Sequence, residues 1–102
     1  DRQPLRSALA DDADMQPLIA DFVGGLEATV RRLLEAVSAQ DTLAARKVCV
    51  QLKGDGGTYG FAALSELADK VLTALRSDPL NVDELAQAAN ALAKASQRAV
   101  AA

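Results

Sequence analysis

The chain has 102 residues, of which 50% are hydrophobic and 25% charged, and its formal net charge is -3. This length favours one domain with one core, and the composition is typical of a globular protein rather than a disordered one. The negative net charge, with no run of Lys and Arg, argues against a nucleic-acid partner.

Residues 1–10 are predicted to form a leading segment, partly ordered by Leu5 and Leu9, ahead of a helical domain at residues 11–102. Three acidic residues then supply the N-cap and first turn of a short first helix: Asp11, Asp12 and Asp14. Its apolar positions recur at helical spacing: Met15, Leu18, Ile19 and Phe22. Because glycine weakens a helix, Gly24-Gly25 is predicted to break it from a longer second helix.

The second helix carries Leu26, Val30, Leu33, Leu34 and Val37 on one face. Three further helices are expected after it. Asp41 can cap the third helix, whose inward stripe is Ala45, Val48, Cys49 and Leu52. The fourth begins near Phe61, faces inward through Leu64, Leu67, Ala68, Val71, Leu72 and Leu75, and stops at Asp78-Pro79. Asn81 and Glu84 resemble a capping box for the last helix, which buries Leu85, Ala88, Ala89, Leu92 and Ala99 and carries Lys94 and Arg98 toward its negative end.

The connections between these helices are short, so successive long helices are expected to run antiparallel. The sequence therefore predicts an all-α fold, an up-and-down antiparallel four-helix bundle with a short additional N-terminal helix. No strand pattern competes with it.

The residue types present exclude several kinds of chemistry. Histidine is absent and Cys49 is the only cysteine. Histidine acid–base catalysis, a histidine-activated nucleophile, an internal disulfide and a Cys/His metal site are therefore excluded, and we expect no metal and no cofactor. The presence of a single cysteine fits a reducing, cytoplasmic location. No apolar run approaches the roughly 20 residues that span a bilayer. Because the chain opens with Asp1 rather than Met, we expect a fragment or a processed product.

The segment VQLKGDGGTYGF at residues 50–61 is the least generic part of the chain. Glycine costs about 1 kcal/mol in a helix relative to Ala, so a run of glycines favours a site where bare backbone is useful. At about 100° per residue, one outward face of the third helix, within about 60° of Val50, is predicted to carry Arg46, Lys47, Val50, Lys53, Gly54 and Gly57. From composition alone, the same residues also fit a helix end that frays through its glycines and exposes ordinary solvated lysines.

This segment resembles the motif of histidine-phosphotransfer domains, in which His-x-Leu-Lys-Gly is followed by five residues and Gly. Leu52, Lys53, Gly54 and Gly60 match at that spacing. Tyr59 and Phe61 also resemble common family choices. The similarity extends to residues 9–15, Phe22, the Leu-rich second helix, Asp41 and the helix from Leu64 to Leu75.

The phosphate-accepting histidine of that family falls on Val50. An isopropyl group has no lone pair with which to attack an aspartyl phosphate. Cys49 is expected to point into the core, and Asp55 is expected to be an ordinary surface carboxylate, so neither replaces the histidine. The resemblance implies that Lys53 would neutralise the phosphoryl group, that Gly54 would leave room for the partner and that Gln51 would flank the site.

Three functional hypotheses follow. The first is an adaptor or competitor without a catalytic residue, which docks a response-regulator receiver domain or a histidine kinase through Arg46, Lys47, Val50, Gln51, Lys53, Gly54 and Gly57. The second is a purely structural or dimerisation bundle within a larger signalling protein. The third is an active phosphotransfer domain in which residue 50 has been changed. Membrane attachment is not expected, because three cations on a chain of net charge -3 attract acidic lipids weakly. The oligomeric state stays open.

Overall fold

The computed structural model describes residues 3–101, and four helices make up most of them. Helix α1 spans Gln16–Ser38, α2 Thr42–Thr58, α3 Ala62–Leu75 and α4 Val82–Arg98. Two short strands, β1 (Leu5–Arg6) and β2 (Ala99–Val100), pair in parallel, with Leu5 opposite Ala99. The parts of the leading segment and of the C-terminus at residues 1–2 and 102 lie outside the described residues.

All four helices contribute to a single core. Helix α2 packs on α3, α3 on α4, and α1 on both α2 and α4. The largest fully buried side chains come from every helix and from the α2–α3 turn: Phe61, Ile19, Leu33, Leu52, Leu64, Leu85, Leu92 and Val71. The predicted inward stripes are confirmed at most positions, although several of their residues are half-buried: Met15, Phe22, Leu34, Val37, Val48, Leu67 and Ala88. Leu18, from the stripe of the predicted first helix, is exposed.

The predicted break at Gly24-Gly25 is wrong, because α1 continues through both glycines for 23 residues. Neither glycine contacts another part of the chain at the position a Cβ would take. Ile19 and Leu26 are buried on either side of them. Two glycines cost about 2 kcal/mol in a helix, whereas each buried Leu or Ile contributes about 1.5–3 kcal/mol, so the continuous apolar stripe keeps the helix intact.

The predicted N-cap of α1 is also wrong. Helix α1 begins after Met15, which makes no side-chain capping hydrogen bond, and no acidic residue lies in the first turn. Asp12 instead accepts a hydrogen bond from the Asp14 N–H within the preceding turns. Pro17, in the first turn of α1, lacks the N–H that would otherwise need a cap. The acids at residues 11–14 thus belong to a turn, not to an additional helix.

The predicted caps of α2 and α4 are confirmed. The Asp41 carboxylate accepts a hydrogen bond from Ala44 N–H at 3.1 Å, and the Asn81 side chain accepts one from Glu84 N–H at 3.0 Å. Helix α4 ends at Arg98, so Ala99 lies in β2 and is half-buried rather than in the buried stripe of the helix.

The leading segment is fixed to two distant parts of the chain, β2 after α4 and the turn between α2 and α3, a feature the sequence pattern did not indicate. Its β1 pairs with β2 after α4. Ser7 is buried, its Oγ donates a hydrogen bond to the Tyr59 carbonyl, and Ala8 N–H donates one to the Gly60 carbonyl at 2.8 Å. The segment therefore supports the α2–α3 turn, close to the glycine-rich end of α2.

Candidate functional site

Helix α2 has one buried and one exposed side. Ala45, Cys49, Leu52 and Gly56 are buried, and at about 100° per residue they share one side of the helix. The opposite side is exposed, and we call it the outer face of α2. It contains every residue predicted for docking: Arg46, Lys47, Val50, Gln51, Lys53, Gly54 and Gly57.

Val50 lies at the centre of this outer face and is 56% exposed. An apolar side chain so exposed makes little contribution to the core. An isolated exposed valine needs no explanation by itself, and its neighbours are what single this face out.

The glycines of the segment serve two different purposes. At Gly56 a Cβ would lie 3.0 Å from the Ser65 nitrogen, so glycine there permits the close approach of α2 and α3. At Gly60 the backbone has φ +83° and a Cβ would collide with Ser7 Oγ. Gly54 and Gly57 have no atom within 4 Å of that position. Packing therefore requires Gly56 and Gly60 but not Gly54 or Gly57, although a helix would be more stable without the latter two.

Lys53 is not a free cation. Its Nζ donates to the Asp69 carboxylate of α3 at 2.8 Å, and its backbone carbonyl accepts from Ser65 Oγ at 2.8 Å. This hydrogen bond, and the charge of Lys53, lower the pKa of Asp69 below its ordinary value of 3.8. The pair of Lys53 with ionised Asp69 therefore stabilises the folded state at pH values above 3.8, the ordinary pKa of the carboxyl group. This stabilisation is lost as the pH falls through the lowered pKa of Asp69. Because the side chains are 50% and 47% exposed, the pair is weak, and Lys53 can exchange Asp69 for another anion at small cost.

Arg46 and Lys47 are the cations of the outer face for which the described residues supply no partner. Both are exposed, and within residues 3–101 neither forms an ion pair or a side-chain hydrogen bond. Their charges flank Val50 on the side toward the start of α2. An anionic group that approaches Val50 would therefore meet two cations that no carboxylate of the described chain neutralises.

Sequence reasoning missed Leu43, which is 60% exposed. It precedes Val50 by seven residues, so the two lie within about 20° of each other around the helix. The seven-residue spacing of the two apolar residues Leu43 and Val50 could have identified it.

Cys49 lies beside Val50 in sequence but is fully buried on the other side of α2. Burial raises the pKa of its thiol to about 11. At pH 8 the thiol is therefore protonated as well as inaccessible, so it is not a nucleophile in the folded chain.

We expect iodoacetamide to modify Cys49 at pH 8 only through opening of the fold. Mass spectrometry should show alkylation at least a hundredfold slower in buffer than in denaturant. Alkylation at the same rate in both conditions would contradict the buried position of the thiol.

Carboxylates and other metal-binding groups do not cluster on the outer face within the described residues. Among residues 3–101 there is no group of three or more His, Cys, Asp or Glu residues that would hold a metal ion. Asp55, the nearest carboxylate in sequence, is half-buried at about 140° around α2 from Val50. An apolar centre, flanking cations and two unobstructed glycines fit contact with another macromolecule better than turnover of a substrate.

Comparison of the chain with profiles of known protein families, with curated proteins and with solved structures found no match. The described part of the chain also contains no helix long and apolar enough to cross a membrane.

Proposed function

We propose that the chain is a histidine-phosphotransfer-like module of two-component signalling that lacks the phosphate-accepting histidine. In this proposal the outer face of α2 docks a receiver domain or a histidine kinase in the cytoplasm. The chain acts there as an adaptor or competitor, and it alters phosphate flow without accepting phosphate. It binds neither nucleic acid nor membrane.

The observation that carries the proposal is the exposure of Val50 on a helix whose core side is complete without it. The residue that aligns with the family's histidine is presented to solvent, as a phosphate acceptor would have to be. Gly54 and Gly57 lie on the same face and have no packing role in the chain. Glycines that only weakened the helix would be better replaced by Ala for stability, which supports a role in contact with a partner.

The proposal includes an up-and-down antiparallel bundle, which has support in three features. The loops between α1 and α2 and between α2 and α3 have three residues each. Gly56 approaches Ser65 while Lys53 pairs with Asp69, as expected for two helices of opposite direction. The molecule measures 46 × 25 × 19 Å, and a helix of 23 residues is about 35 Å long, so the longest helix fits along the long axis.

The alternative of a structural or dimerisation bundle has an observation of its own. A groove of about 500 Å³ lies between α1 and the end of α4; its lining includes the apolar residues Val23, Val30 and Leu34 and the polar residues Glu27, Arg31, Ser96 and Gln97. The apolar part of this lining suits the association of two copies. This alternative predicts a dimer at micromolar concentration in analytical ultracentrifugation, with no affinity for receiver domains.

The proposed function is tested by titrating the ¹⁵N-labelled chain with receiver domains and histidine kinases encoded near it, each receiver with and without beryllofluoride as a phosphoryl mimic. We expect micromolar binding, with chemical-shift changes concentrated on Arg46, Lys47, Val50, Lys53 and Gly54. A chain that binds neither class of partner would contradict the docking proposal.

The third hypothesis concerns residue 50 alone, and the substitution Val50→His tests it. If the surroundings still fit phosphotransfer, the variant should accept ³²P from a receiver charged with acetyl phosphate, as an acid-labile, base-stable label. The unchanged chain is the control and should stay unlabelled. Binding without labelling of the variant would mean that residues around position 50 have diverged as well.

A further inference from the structure

We infer that the outer face of α2 receives an amphipathic helix of the partner, with acidic residues flanking its apolar seam. This inference rests on the proposed function for the identity of the partner and adds which part of it makes the contact. It also extends the contact to Leu43, beyond the segment that resembles the phosphotransfer motif.

Exposed residues recur at a regular spacing along α2. Leu43, Val50 and Gly57 follow one another at intervals of seven, and all three are exposed. They form a nearly straight seam about 21 Å long, because each residue of a helix rises about 1.5 Å. A seven-residue interval is the spacing at which one helix meets another along a shared seam. A partner loop that contacts α2 at a single point would not reach Leu43, Val50 and Gly57 together.

The backbone of α2 is unobstructed at the Gly57 end of this seam. Gly54 and Gly57 have open space where a Cβ would be, in contrast to the tightly packed Gly56. Helix axes usually approach to about 8–10 Å, and small residues at the contact permit the closest approaches. Two glycines on the outer face therefore provide a place where the backbone of a second helix can approach that of α2.

The outer face also carries positive charge. The whole chain has a net charge of -3, yet its outer face on α2 presents Arg46 and Lys47 without a partner in the described chain. Lys53, on the same face, is held by Asp69. The two available cations lie close to Val50 in the seam, so the complementary helix carries carboxylates beside its apolar residues.

Two synthetic helical peptides test the inference directly. They share one Leu and Ala seam, and one is flanked by Glu and the other by Lys. We expect the Glu-flanked peptide to bind at least tenfold more tightly to the ¹⁵N-labelled chain, with shift changes from Leu43 to Gly57. Equal affinity for the two peptides, no binding of the Glu-flanked peptide, or shift changes confined to the α1–α4 groove would overturn the inference.

Two matched pairs of variants locate the contact. Gly57→Gln should raise the melting temperature, because Gln favours a helix more than Gly, and should weaken binding of the Glu-flanked peptide at least tenfold. Gly24→Gln makes the same change at an open glycine of α1, so it should raise the melting temperature and leave affinity unchanged. Arg46→Glu should weaken binding at least tenfold, whereas Lys94→Glu on α4 should not. Equal effects within either pair would overturn the inference.

The same variants separate this inference from the proposed function. One outcome is a receiver domain or kinase that loses affinity with Arg46→Glu but not with Gly57→Gln. Such a partner docks on α2 through an element other than a helix. This outcome is consistent with the proposed function and overturns the inference of a docking helix. Binding of the Glu-flanked peptide at the seam, with neither class of partner bound, supports the helix and contradicts the receiver-or-kinase proposal.

Discussion

Replacing Gly60 with Ala is expected to lower the free energy of unfolding by about 2–4 kcal/mol. Gly60 has φ +83°, in the left-handed region, where a Cβ costs about 1–2 kcal/mol for an L-residue. The added methyl would also meet Ser7 Oγ and lie 3.0 Å from the backbone nitrogens of Ala8 and Leu9. The leading segment would have to move, which weakens the hydrogen bond from Ala8 N–H to the Gly60 carbonyl.

Chemical denaturation followed by far-ultraviolet circular dichroism measures this loss, and Gly54→Ala is the matched control. Gly54 lies inside α2 with open space at the Cβ position, so Ala there should raise the free energy of unfolding by about 0.5–1 kcal/mol. Effects of the same sign for the two substitutions would mean that the two glycines do not differ in packing as the structure shows.

This contrast illustrates what the sequence alone could predict. Helix α2, its cap at Asp41 and its buried stripe follow from apolar spacing and capping chemistry, which are local properties. The exposure of Val50 follows from the same geometry. The four glycines of the segment all look alike in sequence, because their different roles depend on Ser65 of α3 and Ser7 of the leading segment. Only the packing of distant parts of the chain distinguishes them.

The wrong predictions have the same physical origin. Gly24-Gly25 predicts a break because helix propensity is a local property of the sequence. Packing of the α1 residues Ile19 and Leu26 in the core shared with the other helices keeps α1 continuous. The short β1–β2 pair joins residues more than ninety positions apart, and two residues per strand leave no alternating pattern to detect. Likewise, sequence spacing places Lys53 on the outer face but does not show that Asp69 on α3 holds it.

Lys53 also shows how the candidate site departs from the function that the resemblance implies. In an active phosphotransfer domain this lysine would be needed for the phosphoryl group. Here no acceptor for that group stands at residue 50, and the lysine joins α2 to α3 through Asp69. In the docking proposal, recognition of a partner depends on Val50, on Arg46 and Lys47, and on the open glycines.

Val50→Asp should reduce affinity for a docked receiver domain or kinase by at least about 30-fold, which corresponds to about 2 kcal/mol. The carboxylate would place a charge at the centre of the outer face, and the partner's apolar surface would have to desolvate that charge on binding. Its effect on folding should be small, within about 0.5 kcal/mol, because Val50 is 56% exposed. Arg46 and Lys53 lie four residues before and three after it, positions from which they stabilise a carboxylate on a helix.

Isothermal titration calorimetry and thermal denaturation of the same preparations measure both effects, and Val82→Asp is the matched control. Val82 is an exposed valine at the first position of α4, so the same change adds a carboxylate far from α2 in the sequence and should preserve affinity. If Val50→Asp retained full affinity, the outer face of α2 would not be the docking surface. If it instead lowered stability by more than 2 kcal/mol, Val50 would contribute to the core. A variant that folds normally and no longer binds is the result that distinguishes a docking module from a purely structural bundle, because a structural bundle has no reason to require an apolar residue at this exposed position.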